Sequence, residues 1–291
     1  MSAAVGAVPA VREAVPPLLL AGVDFSCNPG RRKRVVVALG RTTGSVLTLQ
    51  AIEDHTTLAS FAAWLATPGP WLGAFDFPFG LPRAFVDANA LGDSCEAVIR
   101  AVHARCESRM AWRTFIDAWG NTQPAGRRLL HRRTDAALPG ISSTSPLQTR
   151  YVPVGFMYYE GVALLMDAGV TLPQMRAGDP ARVALEGYPG LLAFELIGRR
   201  SYKNKDEPDR LIARKDLLDA LEQGRTRLGL RLRLSHAQRD AIADDASGDR
   251  LDAVLCLMQA AWAAGQPGHG LPPGIDPVEG WIVTAPGPAP G

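Results

Sequence analysis

Two short apolar runs in the first part of the chain each end in an aspartate. Residues 18–24 have the sequence LLLAGVD and residues 71–76 have the sequence WLGAFD, and a turn containing Gly and Pro follows each of them. Brief apolar runs bounded by turn residues predict buried strands. Asp24 and Asp76 are therefore expected at the carboxyl ends of two strands, where open α/β sheets bind their ligands.

The segment between these runs predicts two further strands and a helix. A turn signal precedes an apolar, β-branched stretch at 34–39, and residues 45–52 alternate between apolar and polar side chains. Apolar residues then recur at helical spacing over 58–65, after a threonine that can cap the helix. This order predicts an antiparallel meander followed by a helical crossover to a fourth strand beside the first. The pairing would bring Asp24 and Asp76 together.

The second half of the chain supplies one more strand and several helices. Residues 183–186 (VALE) predict a fifth short strand, which ends in Glu186 before a GYPG turn. Ser235, with a glutamine three residues later, has the spacing of a capping box. Residues 281–283 predict a short edge strand. Helices are predicted at residues 191–197, 208–221 and 248–264.

We expect a single α/β domain over residues 18–283. The five strands would form a mixed sheet flanked by helices, and residues 82–178 would be a long, mostly helical insertion. Residues 1–17 and 284–291 are expected to be flexible termini. A basic group in the insertion is expected on a solvated face and comprises Arg127, Arg128, Arg132 and Arg133.

The composition fits a protein with a sizeable core. Of the 291 residues, 47% are hydrophobic and 21% are charged, so no disulfide or metal is needed to stabilise the fold. The net charge of +2 hides a strong preference for Arg over Lys. That preference suits phosphate contacts but also follows from a GC-rich genome, so charge alone does not indicate nucleic acid. No apolar run approaches the roughly 20 residues of a membrane span, and no membrane association is expected.

The cysteine content favours a reducing compartment. The four cysteines form no C-x-x-C pair and no zinc-finger spacing, which predicts a cytoplasmic protein. A metal site built from cysteine and histidine is an alternative, but small apolar cysteines on helices explain the pattern better. The residues of that alternative site are Cys95, His103, Cys106 and His131.

Two further acids lie on the last predicted helix. Asp249 and Asp252 are three residues apart and therefore share a helix face. Taken alone, Asp249 is better explained as an acid in the first turn of a helix capped by Ser247. Together with Asp24, Asp76 and Glu186, however, the pair would give several carboxylates in one crevice.

Crowded carboxylates repel one another, and a hard divalent cation with oxygen ligands relieves that repulsion. Two such ions, roughly 3.5 to 4 Å apart, can activate water and stabilise the leaving oxygen in phosphodiester hydrolysis. The five histidines are scattered, and the chain has no H-E-x-x-H, G-x-S-x-G or Walker A motif. Phosphate could be contacted by Tyr202, Lys203, Arg210 and Arg214, although the two arginines at i and i+4 equally fit a solvated helix face.

Several of these segments, taken in order, resemble the domain-of-unknown-function family 429, which is described as predicted nucleases of the RNase H-like fold. The resemblance covers most of residues 18–283, and its most specific parts are D-x-P-x-G-L-P and the later E-x-Y-P. It implies an RNase H-like fold and a Mg²⁺ or Mn²⁺ site at Asp24, Asp76 and Asp252, with Asp249 and Glu186 close by. The resembling segments are GVD at 22–24, DFPFGLP at 76–82, EGYP at 186–189, Tyr202-Lys203 with Arg210 and Arg214, and DRLDA at 249–253.

The residues and the resemblance together predict a metal-dependent nuclease. Asp24 would bridge two ions, Asp76 and Asp252 would each hold one, and Asp249 or Glu186 would complete the site or orient water. Mg²⁺ or Mn²⁺ is the expected cofactor and nucleic acid the expected partner.

Two alternatives stay open. The protein could be a nucleic-acid or protein binding module that keeps the RNase H-like fold without turnover. It could also be a phosphoryl transferase related to actin-like ATPases, although residues 25–30 make a poor phosphate-binding loop. The substrate and the oligomeric state are not predicted.

Overall fold

The computed structural model describes residues 17–287. The expected flexible leader at 1–17 lies outside the described residues except for its last position, and residues 288–291 of the expected tail also lie outside. Of the remaining tail residues, Thr284 and Ala285 are buried.

A seven-stranded mixed sheet forms the centre of the fold. The strands are β1 (Leu19–Asp24), β2 (Val35–Thr43), β3 (Val46–His55), β4 (Trp71–Phe75), β5 (Val170–Thr171), β6 (Asp179–Glu186) and β7 (Arg231–Arg233). Their spatial order is β5-β6-β4-β1-β2-β3-β7. β1 pairs antiparallel with β2 and parallel with β4, β2 pairs antiparallel with β3, and the other pairs are parallel.

The predicted α/β class is confirmed, and the architecture is compatible with an RNase H-like fold. The sheet has seven strands where five were expected. The two strands that were not predicted, β5 and β7, are only two and three residues long. Segments of that length are too short to show an alternating pattern. The expected edge strand at 281–283 is a single isolated bridge, in which Ile282 pairs with Glu186.

Helices cover both faces of the sheet. They are α1 (Leu58–Leu65), α2 (Arg83–Ala88), α3 (Cys95–Arg105), α4 (Arg109–Asn121), α5 (Arg133–Ala136), α6 (Val154–Asp167), α7 (Pro189–Ile197), α8 (Pro208–Glu222), α9 (His236–Ala243) and α10 (Asp249–Ala264). One core layer joins the sheet to α1, α2, α3, α4 and α6, and the other joins it to α7, α8, α9 and α10. Thr57 caps α1, and Ser235 forms the predicted capping box with Gln238 at the start of α9.

Helix α10 lies directly against β1 because Gly22 has no side chain. A Cβ on Gly22 would meet the backbone nitrogen of Leu257 at 2.0 Å and the backbone oxygen of Ala253 at 2.1 Å. The same strand ends at Asp24, and the same helix begins at Asp249. The close approach therefore brings the first turn of α10 to the carboxyl end of β1.

None of the described helices has both the length and the apolar character needed to cross a membrane.

Candidate metal centre

Two neighbouring parallel strands deliver Asp24 and Asp76 to one edge of the sheet. In the ladder between β1 and β4, Val23 is paired with Phe75, so the next residue on each strand is one of the two aspartates. The backbone N–H of Asp76 donates to the carbonyl of Val23 at 2.9 Å, which extends the ladder by one hydrogen bond. The predicted juxtaposition thus follows directly from strand register.

Asp252, in the first turn of α10, joins this pair. One carboxylate oxygen from each of Asp24, Asp76 and Asp252 lies within 4.8 Å of the other two. Asp24 is 4% exposed and Asp252 is 1% exposed, while Asp76 is partly exposed. Three hard oxygen donors at this spacing could hold a metal ion.

Burial and mutual repulsion disfavour the ionised forms of Asp24 and Asp76. Burial raises the pKa of Asp24 well above its usual value; Lys33 opposes this shift, and the neighbouring aspartates add to it. Burial likewise raises the pKa of Asp76 to about 7, with Lys203 lowering it and Asp252 raising it. A cation at this point would favour the charged forms of both residues.

Two lysines contact the acids. The Nζ of Lys33 donates to Asp249 and lies 3.5 Å from Asp24. The Nζ of Lys203 donates to Asp252 at 2.5 Å. Burial alone would lower the pKa of Lys203, but Asp252 and Asp76 outweigh that effect and raise it. Burial would lower the pKa of Lys33 too, but Asp24 and Asp249 raise it, so both ammonium groups stay charged beside the carboxylates.

The structure also identifies Tyr202 as a site residue. Its hydroxyl donates to the second oxygen of Asp252 at 2.5 Å, so this carboxylate is held from both sides. In the sequence, Tyr202 was a candidate phosphate contact and part of a resembling segment, not a partner of Asp252, and Lys33 was not a candidate site residue. For Lys33, the available signal was the scarcity of lysine in an arginine-rich chain.

Asp249 is buried but is engaged by Lys33 and is not part of the group of three. The N-cap of α10 is Gly248, with a left-handed backbone (φ 81°), and not the expected Ser247. A Cβ on Gly248 would meet the Cβ of Lys203 at 2.6 Å, so the glycine leaves room for that lysine. Ser247 Oγ accepts from the backbone N–H of Asp249 at 3.2 Å. Asp245 lies outside the helix and accepts from the backbone N–H of Arg250 at 3.0 Å. It thereby satisfies one of the N–H groups in the first turn of α10.

Glu186 forms a separate buried ion pair. Arg132 donates to both of its carboxylate oxygens, at 2.7 and 2.6 Å, and the backbone N–H of Phe79 donates to one of them at 2.9 Å. Arg132 also binds Asp135 and is 2% exposed, so the expectation that it lies on a solvated face is wrong. Glu186 thereby ties the turn that follows Asp76 to the end of β6.

The three predicted basic residues differ in their surroundings. Lys203 contacts Asp252, as described above. Arg210 donates to Glu207 at 3.0 Å and to the carbonyl of Lys203. Arg214 is 1% exposed and donates to the carbonyls of Ala243 and Tyr202, at 2.6 and 2.9 Å. Of the three, therefore, Lys203 contacts an aspartate of the site, Arg210 contacts the backbone of Lys203, and Arg214 contacts only backbone carbonyls among these hydrogen bonds.

Two clefts open beside Asp76. Cleft 1 has a volume of about 240 Å³ and is lined by Asp76, Arg132, Tyr188 and Lys203, among others. Cleft 2 has a volume of about 470 Å³ and is also lined by Asp76, Tyr188 and Lys203. The additional basic residues of cleft 2 are Arg199, Arg200 and Arg210. Asp76 and Lys203 therefore lie where both clefts meet.

The four cysteines are free and buried. Burial raises the pKa of Cys95 to about 12, which keeps its thiol protonated. The described residues bring no histidine or cysteine into a group of three or more metal-binding side chains.

Comparison with known proteins gave one family. Residues 22–276 match the family model described as "Protein of unknown function (DUF429)". The search of curated proteins and the search of solved structures each found no match. The matched range includes Asp24, Asp76, Asp252 and both lysines of the site, and it covers most of the chain. The chain therefore belongs to the domain-of-unknown-function family 429.

Proposed function

We propose that this protein is a metal-dependent nuclease that hydrolyses phosphodiester bonds at the cluster of three aspartates, Asp24, Asp76 and Asp252. The observation that carries the proposal is the approach of Asp24, Asp76 and Asp252, with one oxygen from each within 4.8 Å of the others. Close acids repel one another, and although Lys33 and Lys203 contact Asp24 and Asp252, Asp76 makes no salt bridge among the described residues. Three of them at the carboxyl edge of a sheet indicate a binding site rather than a structural feature.

The donor set fits Mg²⁺ or Mn²⁺. Both ions prefer oxygen ligands, and the group offers carboxylates without histidine or cysteine. Asp24 and Asp76 would come from adjacent strands and Asp252 from α10, so three rigid elements would hold the ion. A divalent cation bound there would supply activation of water and stabilisation of the leaving oxygen.

The surrounding residues support a phosphate-bearing substrate. Lys203 lines both clefts beside Asp76, and cleft 2 adds Arg199, Arg200 and Arg210. Basic side chains around a groove follow a nucleic-acid backbone through its phosphates. In this proposal Lys203 and Arg210 bind substrate, while Arg214 supports the loop that carries Tyr202 through the carbonyl of that residue.

Glu186 and Asp249 have supporting roles in the proposal. Glu186 accepts the Phe79 N–H and so holds the turn that begins at Asp76. Asp249 binds Lys33, which in turn lies beside Asp24. Both acids would act by positioning the residues that hold the ion.

A cleavage assay with matched variants tests the proposal. Wild-type protein is incubated with labelled single-stranded DNA, duplex DNA and RNA, each with Mn²⁺, Mg²⁺ or a chelator. We expect cleavage that requires the metal and is abolished in Asp24→Asn, whose thermal melting in chelator confirms that it is folded. Asp240→Asn changes an exposed acid on α9 and should cleave like the wild type.

Three results would contradict the proposal. Cleavage by the folded Asp24→Asn variant would show that the carboxylate group is not the active site. Binding of nucleic acid without cleavage in Mn²⁺ would identify a binding module instead. Binding of ATP by calorimetry, with no cleavage of any nucleic acid, would favour the actin-like alternative.

A further inference from the structure

The candidate metal centre contains cations of its own. Four aspartates converge there, namely Asp24, Asp76, Asp249 and Asp252, and two lysines contact them. Lys33 touches Asp24 and Asp249, and Lys203 touches Asp252. The site therefore differs from a purely acidic pocket, in which bound metal ions would supply all of the positive charge.

The balance of these charges limits how many metal ions the site accommodates. A bound cation favours the charged forms of all four aspartates. These four carboxylates and the two ammonium groups that contact them then leave two uncompensated negative charges, which one divalent cation neutralises. A second divalent cation would leave the buried site with two excess positive charges. Uncompensated charge in a buried site is costly, so the second ion would bind poorly unless a lysine moved away.

Lys203 is also placed to contact substrate. It lines both clefts beside Asp76, and its side chain is 40% exposed although its Nζ binds the buried Asp252. The carboxylate of Asp252 is fixed by Tyr202 on its other oxygen, which gives the ammonium group a defined position. A fixed positive charge at the junction of the two clefts can stabilise negative charge on a phosphate.

We propose that the site binds a single divalent cation and that Lys203 takes the place of a second one, contacting the substrate phosphate. This inference rests on the proposed function but differs from the two-ion arrangement expected from the sequence. Lys33 has a separate role, since its contacts are with Asp24 and Asp249, and it neutralises the acid that lies outside the group of three.

Manganese binding by the full-length protein tests the inference without reference to activity. Mn²⁺ is titrated into the protein by calorimetry, and the bound ions are counted by electron paramagnetic resonance. Wild-type protein should bind one Mn²⁺ with an uncoupled spectrum. Lys203→Met should bind Mn²⁺ about tenfold more tightly or take up a second ion, because a neighbouring positive charge has been removed. Cleavage by the same variant should fall.

Tighter Mn²⁺ binding together with weaker cleavage would distinguish this role from a structural one. Loss of a purely structural contact would weaken both Mn²⁺ binding and cleavage. Lys203→Gln keeps a hydrogen-bond donor for Asp252 without the charge and serves if Lys203→Met does not fold. Lys205→Met, two residues away on an exposed side chain that pairs with Glu207, is the matched control and should bind Mn²⁺ like the wild type.

The outcomes separate this inference from the proposed function. Two coupled Mn²⁺ ions in the wild type, or unchanged or weaker Mn²⁺ binding in both folded Lys203 variants, would overturn the single-ion inference while leaving a metal-dependent nuclease intact. Failure of the wild type to bind Mn²⁺ at all would overturn the proposed function itself.

Discussion

Arg132 donates two hydrogen bonds to the carboxylate of Glu186, at 2.7 and 2.6 Å, and both side chains are at least 97% buried. Burial raises the pKa of Glu186, and the guanidinium partly offsets that shift. For Asp135, the second partner of Arg132, burial would also raise the pKa, but the guanidinium prevails and lowers it. One arginine thus pairs with two buried acids beside the candidate metal centre.

Replacing this arginine should lower the stability of the folded protein. Arg132→Met would leave Glu186 and Asp135 buried without their cation, and breaking a buried pair in this way costs about 3–5 kcal/mol. Urea denaturation should show a loss of stability in this range. Arg133→Met changes the exposed neighbour and should alter stability by less than about 0.5 kcal/mol. Equal stabilities of the two variants would contradict the structural role of Arg132.

A second prediction concerns the contact between β1 and α10. The Cβ introduced by Gly22→Ala would overlap the backbone of Leu257 and Ala253, which cannot move independently of the helix. We expect a loss of stability of about 3 kcal/mol, as for severe overpacking, and loss of Mn²⁺ binding as Asp252 moves away from Asp24. Both are measured on the same sample, by urea denaturation and by calorimetry.

Gly30→Ala provides the matched control for that change. A Cβ on Gly30 meets no atom within 4 Å, and its backbone does not require glycine. This variant should keep both the stability and the Mn²⁺ binding of the wild type. Retention of full Mn²⁺ binding by Gly22→Ala would show that the helix position does not depend on this contact.

The parts of the fold that could be predicted from the sequence are those with local signals. The ends of β1 and β4 were marked by apolar runs and turns, and the crossover order then required Asp24 and Asp76 to be neighbours. Asp252 could be predicted as a candidate site residue because its helical spacing places it on the same helix face as Asp249. Helical spacing alone does not decide which of the two acids joins the group. The family resemblance named Asp252, and the packing of α10 against Gly22 brings the start of that helix to Asp24.

The parts that could not be predicted depend on contacts between distant segments. Arg132 lies 54 residues before Glu186, within a basic stretch whose composition fits a solvated surface equally well. Lys33 is 216 residues from Asp249 and belongs to a turn with no periodic pattern. Their roles follow from tertiary packing, which a single sequence does not show.

The raised pKa of Asp76 predicts how stability changes with pH. Because the pKa is about 7 in the folded protein and 3.8 as a model value, the protonated form favours folding. That contribution is complete below about pH 4 and is lost as the pH rises through about 7. Without metal, Asp76→Asn should therefore be more stable than the wild type at pH 8, by about 1–2 kcal/mol after allowance for solvent screening.

This difference should shrink as the pH falls towards 4, where the wild-type carboxyl is protonated. Urea denaturation in chelator at pH 4, 6 and 8 measures it. Asp240→Asn, on the exposed face of α9, should show a difference that does not change over this range. A stability advantage for Asp76→Asn that grows at low pH would have the wrong sign and would contradict the burial of an uncompensated acid at this position.

Metal binding should stabilise the wild-type protein and distinguish the two acids of α10. At a free Mn²⁺ concentration of one hundred times Kd, linkage adds about 2.7 kcal/mol to the free energy of unfolding. Asp252→Asn should lose this gain, because Asp252 belongs to the group of three carboxylates, whereas Asp249→Asn should retain most of it, because Asp249 is bound to Lys33. Thermal melting of the three proteins, with Mn²⁺ and with chelator, measures the gain directly. Equal loss in both variants would mean that Asp249 also holds the ion, and a full gain in Asp252→Asn would mean that the ion binds elsewhere.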